Sequence, residues 1–152
     1  MGCCGSTSPV PTMEDLEDQG RFLELMQQNG SPNAVSVRLG EKLTGGYSQL
    51  VKKVYLTFDD GREVTAMAKV NNNNCVALAI TKKLGTYREA VVYSIAQDLR
   101  GKTGSWVLPE MYMALHDANT GRTCVVMEFI EGAHNLMKVF GELEYKARPD
   151  LE

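Results

Sequence analysis

Leu50-Val51-Lys52-Lys53-Val54-Tyr55-Leu56-Thr57-Phe58-Asp59-Asp60-Gly61-Arg62-Glu63-Val64-Thr65-Ala66-Met67-Ala68-Lys69-Val70 is the stretch that decides the fold. Its period is two. Leu50, Val54, Leu56 and Phe58 share one side, while Lys53, Tyr55 and Thr57 share the other, because successive side chains of a strand point to opposite faces. Asp59-Asp60-Gly61-Arg62 then interrupts the pattern with a hairpin signal, since Asp-Gly tolerates the positive φ of tight turns. Alternation resumes with Val64, Ala66, Ala68 and Val70 against Thr65, Met67 and Lys69. Two strands joined this closely pair antiparallel.

Toward the amino terminus, Val35, Val37 and Leu39 form a shorter strand that runs into Leu43-Thr44-Gly45-Gly46-Tyr47-Ser48. Ahead of it, Leu16, Leu23 and Met26 fall on one helical face. Thr12 can cap that helix with Asp15 three residues on, and Asn29-Gly30-Ser31-Pro32 stops it. Residues 1–12, rich in Ser, Thr and Pro, read as a flexible tether.

Toward the carboxyl terminus, Asn71 to Asn74 read as a polar loop. A helix is expected from about Thr86 to Arg100, with Val92, Ile95, Ala96 and Leu99 as its apolar stripe and with Gly101 and Gly104 ending it. Met111, Met113 and Leu115 alternate, and Asp117-Ala118-Asn119-Thr120-Gly121 turns. Thr123 to Ile130 is then a nearly continuous apolar strand, a pattern that implies burial on both faces. Ala133 to Lys146 has helical potential, weakened by Gly141. The order is helix, three strands, helix, two strands. It predicts an α+β domain over residues 13–133, a five-stranded antiparallel sheet with one packed helix and a preceding amino-terminal helix; residues 134–152 follow it.

Hydrophobic residues at 43% and charged residues at 23% suit a globular core, and 152 residues suffice for one domain rather than two. A net charge of −3 gives no electrostatic footprint for nucleic acid. No apolar run approaches a membrane span, and no secretory signal precedes a cleavage-like site. Cys3, Cys4, Cys75 and Cys124 match neither a zinc motif nor a disulfide ladder, which favours a reducing, cytoplasmic setting. Met1-Gly2-Cys3-Cys4-Gly5-Ser6 satisfies the N-myristoylation pattern at Gly2, with Ser6 where the pattern wants Ser or Thr. One myristoyl chain binds a membrane with a constant of only roughly 10⁴ M⁻¹. Palmitoylation at Cys3 and Cys4 would supply the second signal for anchoring at the cytoplasmic face. The alternative is an ordinary start with two chance cysteines.

The order of elements, with a glycine-rich turn between the first two strands and a lysine on the third, resembles the amino-terminal lobe of the protein-kinase-like fold. Within that fold it is more similar to the aminoglycoside phosphotransferase and choline-kinase-like branch. That branch includes the ecdysteroid-kinase-like enzymes, which phosphorylate hydroxyl groups on small molecules. The resemblance covers roughly Asn33 to Ala133. It rests on Leu43-Thr44-Gly45-Gly46-Tyr47-Ser48, Ala66-Met67-Ala68-Lys69, Arg88-Glu89-Ala90-Val91-Val92-Tyr93 and Val126-Met127-Glu128-Phe129-Ile130-Glu131-Gly132. The turn departs from the Gly-x-Gly-x-x-Gly of protein kinases, which favours a small-molecule kinase over a protein-kinase parent.

The resemblance implies an ATP site. Phosphoryl transfer is carried mostly by positioning and charge neutralisation, so such a lobe holds phosphates rather than reacting with them. Gly45, Gly46, Tyr47 and Ser48 would cover the phosphates, the two glycines letting backbone N–H groups approach; a plain hairpin turn suits the same glycines. Lys69, with Met67 beside it on the strand face, takes the place of the lysine that contacts the α and β phosphates. The alternative is a solvated lysine near a strand end. Glu89 is its natural partner, although Thr86-x-x-Glu89 is also a capping box that would occupy the carboxylate. Met127, Glu128 and Ile130 fall where the family holds adenine by backbone groups, a place that a buried core strand would equally fill.

A kinase of this fold also needs a His-x-Asp loop followed by Asn, and a second metal-binding acid. His116-Asp117 with Asn119 lies inside a turn, and His134 is followed by Asn135 and Leu136, so neither fits. The resemblance therefore implies that the carboxyl-terminal lobe, with the magnesium ligands and most of the hydroxyl substrate's pocket, lies outside this chain. Three readings stand. The chain is the ATP-binding lobe of a lipid-anchored small-molecule phosphotransferase, a non-catalytic membrane-tethered binding module on the same lobe, or a small α+β interaction domain.

Overall fold

The computed structural model describes residues 8–43, 49–85, 88–103 and 109–132. Two short helices, α1 (Met13–Glu17) and α2 (Gln19–Gln28), precede strands β1 (Ala34–Leu43), β2 (Gln49–Phe58) and β3 (Glu63–Asn71). Helices α3 (Cys75–Leu84) and α4 (Arg88–Thr103) follow, then β4 (Met111–Asp117) and β5 (Arg122–Glu128). The five strands form one sheet in the order β1-β2-β3-β5-β4, every pair antiparallel.

The central hairpin forms as its alternation predicts. Val54, Leu56, Phe58, Ala66, Ala68 and Val70 are buried on one face. Gly61 takes φ +81° in the turn, where the side chain of Asp60 accepts from the N–H of Arg62 at 2.9 Å. The amino-terminal helices cover this face. Val10, Met13, Leu16, Phe22 and Met26 join those strand residues, together with Tyr112, Met113, Cys124 and Val126, in one core. Each large side chain so buried is worth about 1.5–3 kcal/mol.

The expected single helix before the sheet is two. Thr12 and Asp15 make the predicted reciprocal cap, with the Asp15 N–H donating to Thr12 Oγ1 at 3.2 Å and the Thr12 N–H to Asp15 Oδ2 at 2.8 Å. The run then breaks at Asp18, whose own side chain caps a second helix by accepting from the Arg21 N–H at 3.1 Å. The break lets Phe22, absent from the predicted stripe, enter the core beside Leu16 and Met26.

The sheet carries helices on both faces, not on one. Ala90 of α4 packs with Met111, Val125 and Met127 in a second core on the opposite face, flanked by Met67, Tyr93 and Ala114. The predicted stripe of α4 is corrected here. Val92 and Ile95 are 56% and 55% exposed, because the small Ala90 faces the sheet and lets the helix approach closely. The side chains of Ala96 and Leu99 lie outside the described residues. Strand β5 is buried on both faces as expected, sending Cys124 and Val126 into one core and Val125 and Met127 into the other. Met111 and Met113 do not share a face. The register shifts between them, so Met111 meets the α4 side and Met113 the other.

Helix α3 was not expected. The asparagine run ends as its cap, Asn74 Oδ1 accepting from the Val76 N–H at 2.8 Å, and Gly85 closes it in the left-handed region at φ +67°. Asn71 is buried at the end of β3, where its Oδ1 accepts from the backbone N–H and the hydroxyl of Thr123. Its amide donates to Thr81 Oγ1 of α3 at 3.4 Å. No described helix is long and apolar enough to cross a membrane. The helical potential of Ala133 to Lys146 falls outside the described residues.

Candidate functional site

Alternation on β3 turns Met67 and Lys69 away from the first core, onto the face that α4 covers. Lys69 stands between Val51 of β2 and Val125 of β5, its register partners on either side. In the first turn of α4, Glu89 precedes the buried Ala90 and reaches the same place. Lys69 Nζ donates to Glu89 Oε1, with 21% of the lysine side chain and 33% of the glutamate side chain exposed. The structure thus brings together Lys69 and Glu89, the pair that the kinase-like resemblance implies. An ammonium has three N–H donors, and one bond to Glu89 orients it while leaving the others for further acceptors.

Gly45, Gly46, Tyr47 and Ser48 lie outside the described residues, as do Thr86, His134 and the lipidation residues Gly2, Cys3 and Cys4. The strand end that was expected to read adenine is partly committed. Met127 is fully buried in the second core. The Glu128 N–H donates to the Glu110 carbonyl at 2.7 Å, and the Phe129 N–H to that of Thr65 at 3.1 Å, so those two donors are not what a ligand would meet. The Glu128 carboxylate accepts from the Glu110 N–H at 3.1 Å, and Ile130 is 50% exposed. His116-Asp117-Asn119 is turn chemistry. Asp117 accepts from the Asn119 N–H at 2.9 Å and from the Thr120 hydroxyl at 2.8 Å, and the Thr120 bond is the main reason its carboxyl lies below the ordinary range.

A second ion pair on this face escaped the sequence reading. Lys53 Nζ meets Glu41 Oε1 at 2.6 Å and stands 5.0 Å from the centre of the Phe129 ring. The Lys53 bond lowers the Glu41 carboxyl, and the same bond raises the ammonium. The alternation on β2 marked Lys53 as outward, but nothing local to Glu41 or Phe129 signalled that they would meet it. Farther along the strands, a groove of about 460 Å³ is lined by Ser36, Arg38, Tyr55, Thr57 and Thr65. Arg38 lies over the Tyr55 ring, 4.3 Å from its centre. The groove is polar and sits roughly 13 Å along the strand from Lys69, so it is separate from the Lys69–Glu89 pair. Among the described residues no group of three or more His, Cys, Asp or Glu side chains is placed to hold a metal ion.

No protein-family model matches the chain, and no curated protein matches it. The chemistry of the site therefore rests on its own residues.

Proposed function

We propose that the chain binds ATP with its phosphates at Lys69, as the nucleotide-holding lobe of a phosphotransferase directed at a hydroxyl group on a small molecule. The observation that carries the reading is the Lys69–Glu89 pair, made between β3 and α4 on the sheet face where a kinase-like lobe holds nucleotide. A pair this exposed contributes only ~0–1 kcal/mol to stability, so fold maintenance is a weak reason for it. A cation held in one direction by a carboxylate suits the α and β phosphates, and Gly45 and Gly46 would add backbone donors to the same anion.

On this reading Met67 and the Val51 and Val125 flanks form an apolar wall beside the phosphate-binding ammonium, and the backbone from Ile130 onward is the adenine-reading part of the strand end. On this reading neither His116, paired with Thr123 in the ladder of β4, nor Asp117, bonded to Asn119 and Thr120, serves as a base for the hydroxyl. Magnesium ligands and the substrate pocket would come from a second lobe. The chain alone should bind nucleotide without turning it over.

Calorimetric titration with ATP tests the reading. Lys69→Met removes a charge-assisted hydrogen bond worth about 1.5–3 kcal/mol, which corresponds to at least about a tenfold loss of affinity with an unchanged fold. Equal affinity in wild type and Lys69→Met, or no binding by either, sinks the proposal. In the second case the α+β interaction domain becomes the better description.

A further inference from the structure

Helix α3 carries its larger apolar side chains outward. Val76, Ile80 and Leu84 recur every fourth residue and so line one side of the helix; they are 62%, 47% and 68% exposed. What α3 buries is smaller, Ala77 and Thr81. The stripe is not needed to form the helix, which already has the Asn74 cap, the Gly85 cap and the Asn71–Thr81 bond. Lys83 lies on the same side, three residues beyond Ile80, with Lys82 next to it, and α3 contains no acidic residue. Lysines in a last turn suit the helix dipole, but the dipole gives no reason for the three exposed apolar side chains.

A second observation bears on what they would meet. The Ser8 hydroxyl donates to Asp117 Oδ2 at 2.8 Å. Asp117 opens the β4–β5 turn, where its carbonyl accepts from the Gly121 N–H at 2.8 Å. Gly121, at φ +77°, rests directly on α3, and a methyl there would come within 2.9 Å of the Lys82 backbone nitrogen and 3.0 Å of the Leu78 carbonyl oxygen. Arg122 Nη2 ties the same turn to Asn73 Oδ1, just ahead of α3, at 2.8 Å. Ser8, the first described residue, is therefore bonded to the turn that packs against α3. The residues from Gly2 to Thr7 span at most roughly 20 Å when extended, which limits how far from Ser8 an acyl chain on Gly2 can reach.

We propose that α3 is a membrane-docking element. Val76, Ile80 and Leu84 enter the boundary between headgroups and acyl chains, and Lys82 and Lys83 meet anionic headgroups. Together they form a second contact beside an acyl chain on Gly2. A single myristoyl chain holds a protein only marginally, so a second contact decides whether the chain stays. Each lysine near an anionic surface strengthens binding about fivefold. The inference is independent of the nucleotide reading, because none of these residues touches Lys69 or Glu89.

The full chain, co-expressed with a myristoyl-transferase and checked for the acyl mass on Gly2, is co-sedimented with phosphatidylcholine vesicles, with and without phosphatidylserine. Ile80→Gln with Leu84→Gln should weaken binding to the mixed vesicles at least about tenfold. Lys82→Gln with Lys83→Gln should do the same there, yet match wild type on neutral vesicles. All these positions are exposed, so circular dichroism should stay that of wild type. Wild-type binding by both double variants overturns the proposal, and a Gly2 that carries no acyl mass overturns the two-point arrangement. A change in oligomeric state on losing Ile80 and Leu84, with vesicle binding intact, would assign the stripe to a second copy and overturn it as well.

Discussion

Asn71 and Thr123 are joined by two hydrogen bonds on one oxygen: the side-chain Oδ1 of Asn71 accepts both the backbone N–H and the hydroxyl of Thr123. The same asparagine reaches Thr81 through its amide, so a strand end, a neighbouring strand and a helix converge on one buried side chain. Asn71→Ala leaves a buried N–H without its partner, which costs about 1–3 kcal/mol. Thr123→Val removes only the hydroxyl and should cost about 1 kcal/mol. Urea unfolding of both variants checks the ranking, and midpoints equal to that of wild type would mean that the network contributes nothing.

Lys69 and Glu89 should behave in the opposite way, with little effect on stability and a large one on binding. In a double-mutant cycle of Lys69→Met and Glu89→Gln, the coupling energy in unfolding should stay below ~1 kcal/mol, since both side chains remain partly solvated. Glu89→Gln should weaken ATP binding less than Lys69→Met does, because it loosens the ammonium without removing it. A coupling energy well above that bound would mark the pair as structural.

Stability should decline on the alkaline side. Burial pushes the Tyr112 phenol up to about 12 from an ordinary value of 10, with Glu110 adding to it, and pushes the Cys124 thiol up to about 12 from 9. Both values are raised, so the folded chain keeps protons that the unfolded chain gives up. The stabilisation is complete below pH 9 and is lost as pH climbs toward 12, with a limiting slope of about 1.4 kcal/mol per pH unit for each group. At the acid end the Thr12 N–H lowers Asp15 and the Thr120 hydroxyl lowers Asp117, so their contribution is present above the usual carboxylate range and lost as pH falls through it. Denaturant midpoints across this range test both limbs, and a flat alkaline limb would contradict the burial of Tyr112 and Cys124.

Gly121→Ala should loosen α3. The substitution places a methyl against the helix backbone at a positive φ, a combination that costs about 1–3 kcal/mol. Faster amide hydrogen exchange in α3 than in β2 would locate the damage, whereas unchanged exchange there would show that the turn yields instead.

Much of this arrangement could be read from residue order. The Asp59–Arg62 turn and its two alternating strands carry their own register, so the outward placement of Lys69 followed from period two alone. Glu89 was named as its partner by the kinase-like resemblance, with helical spacing placing it one turn before Val92 on the flank of the expected stripe. Helix α3 was hidden because asparagine runs signal loops, while the property that matters, Asn74 accepting from the Val76 N–H, needs only one of them. The break at Asp18 was hidden for a related reason, since an aspartate can cap a new helix or sit on the surface of an old one. The buried side of α4 was misassigned because the helix is apolar on more than one side, and only contact with Met111, Val125 and Met127 selects Ala90. The meeting of Met111 with the α4 side depends on a register shift that leaves no mark in the composition of β4.

Strand β5, interior to the sheet and shared by both cores, makes Cys124 a clock. Its thiol is wholly buried and its acidity suppressed, and disulfide exchange proceeds through the thiolate. A thiol reagent can reach it only when the first core opens, whether α1 and α2 lift from the sheet or β5 leaves its neighbours β3 and β4. The labelling rate at Cys124 would therefore time the opening of the first core. Cys75, exposed at the start of α3, would record reagent arrival in the same sample.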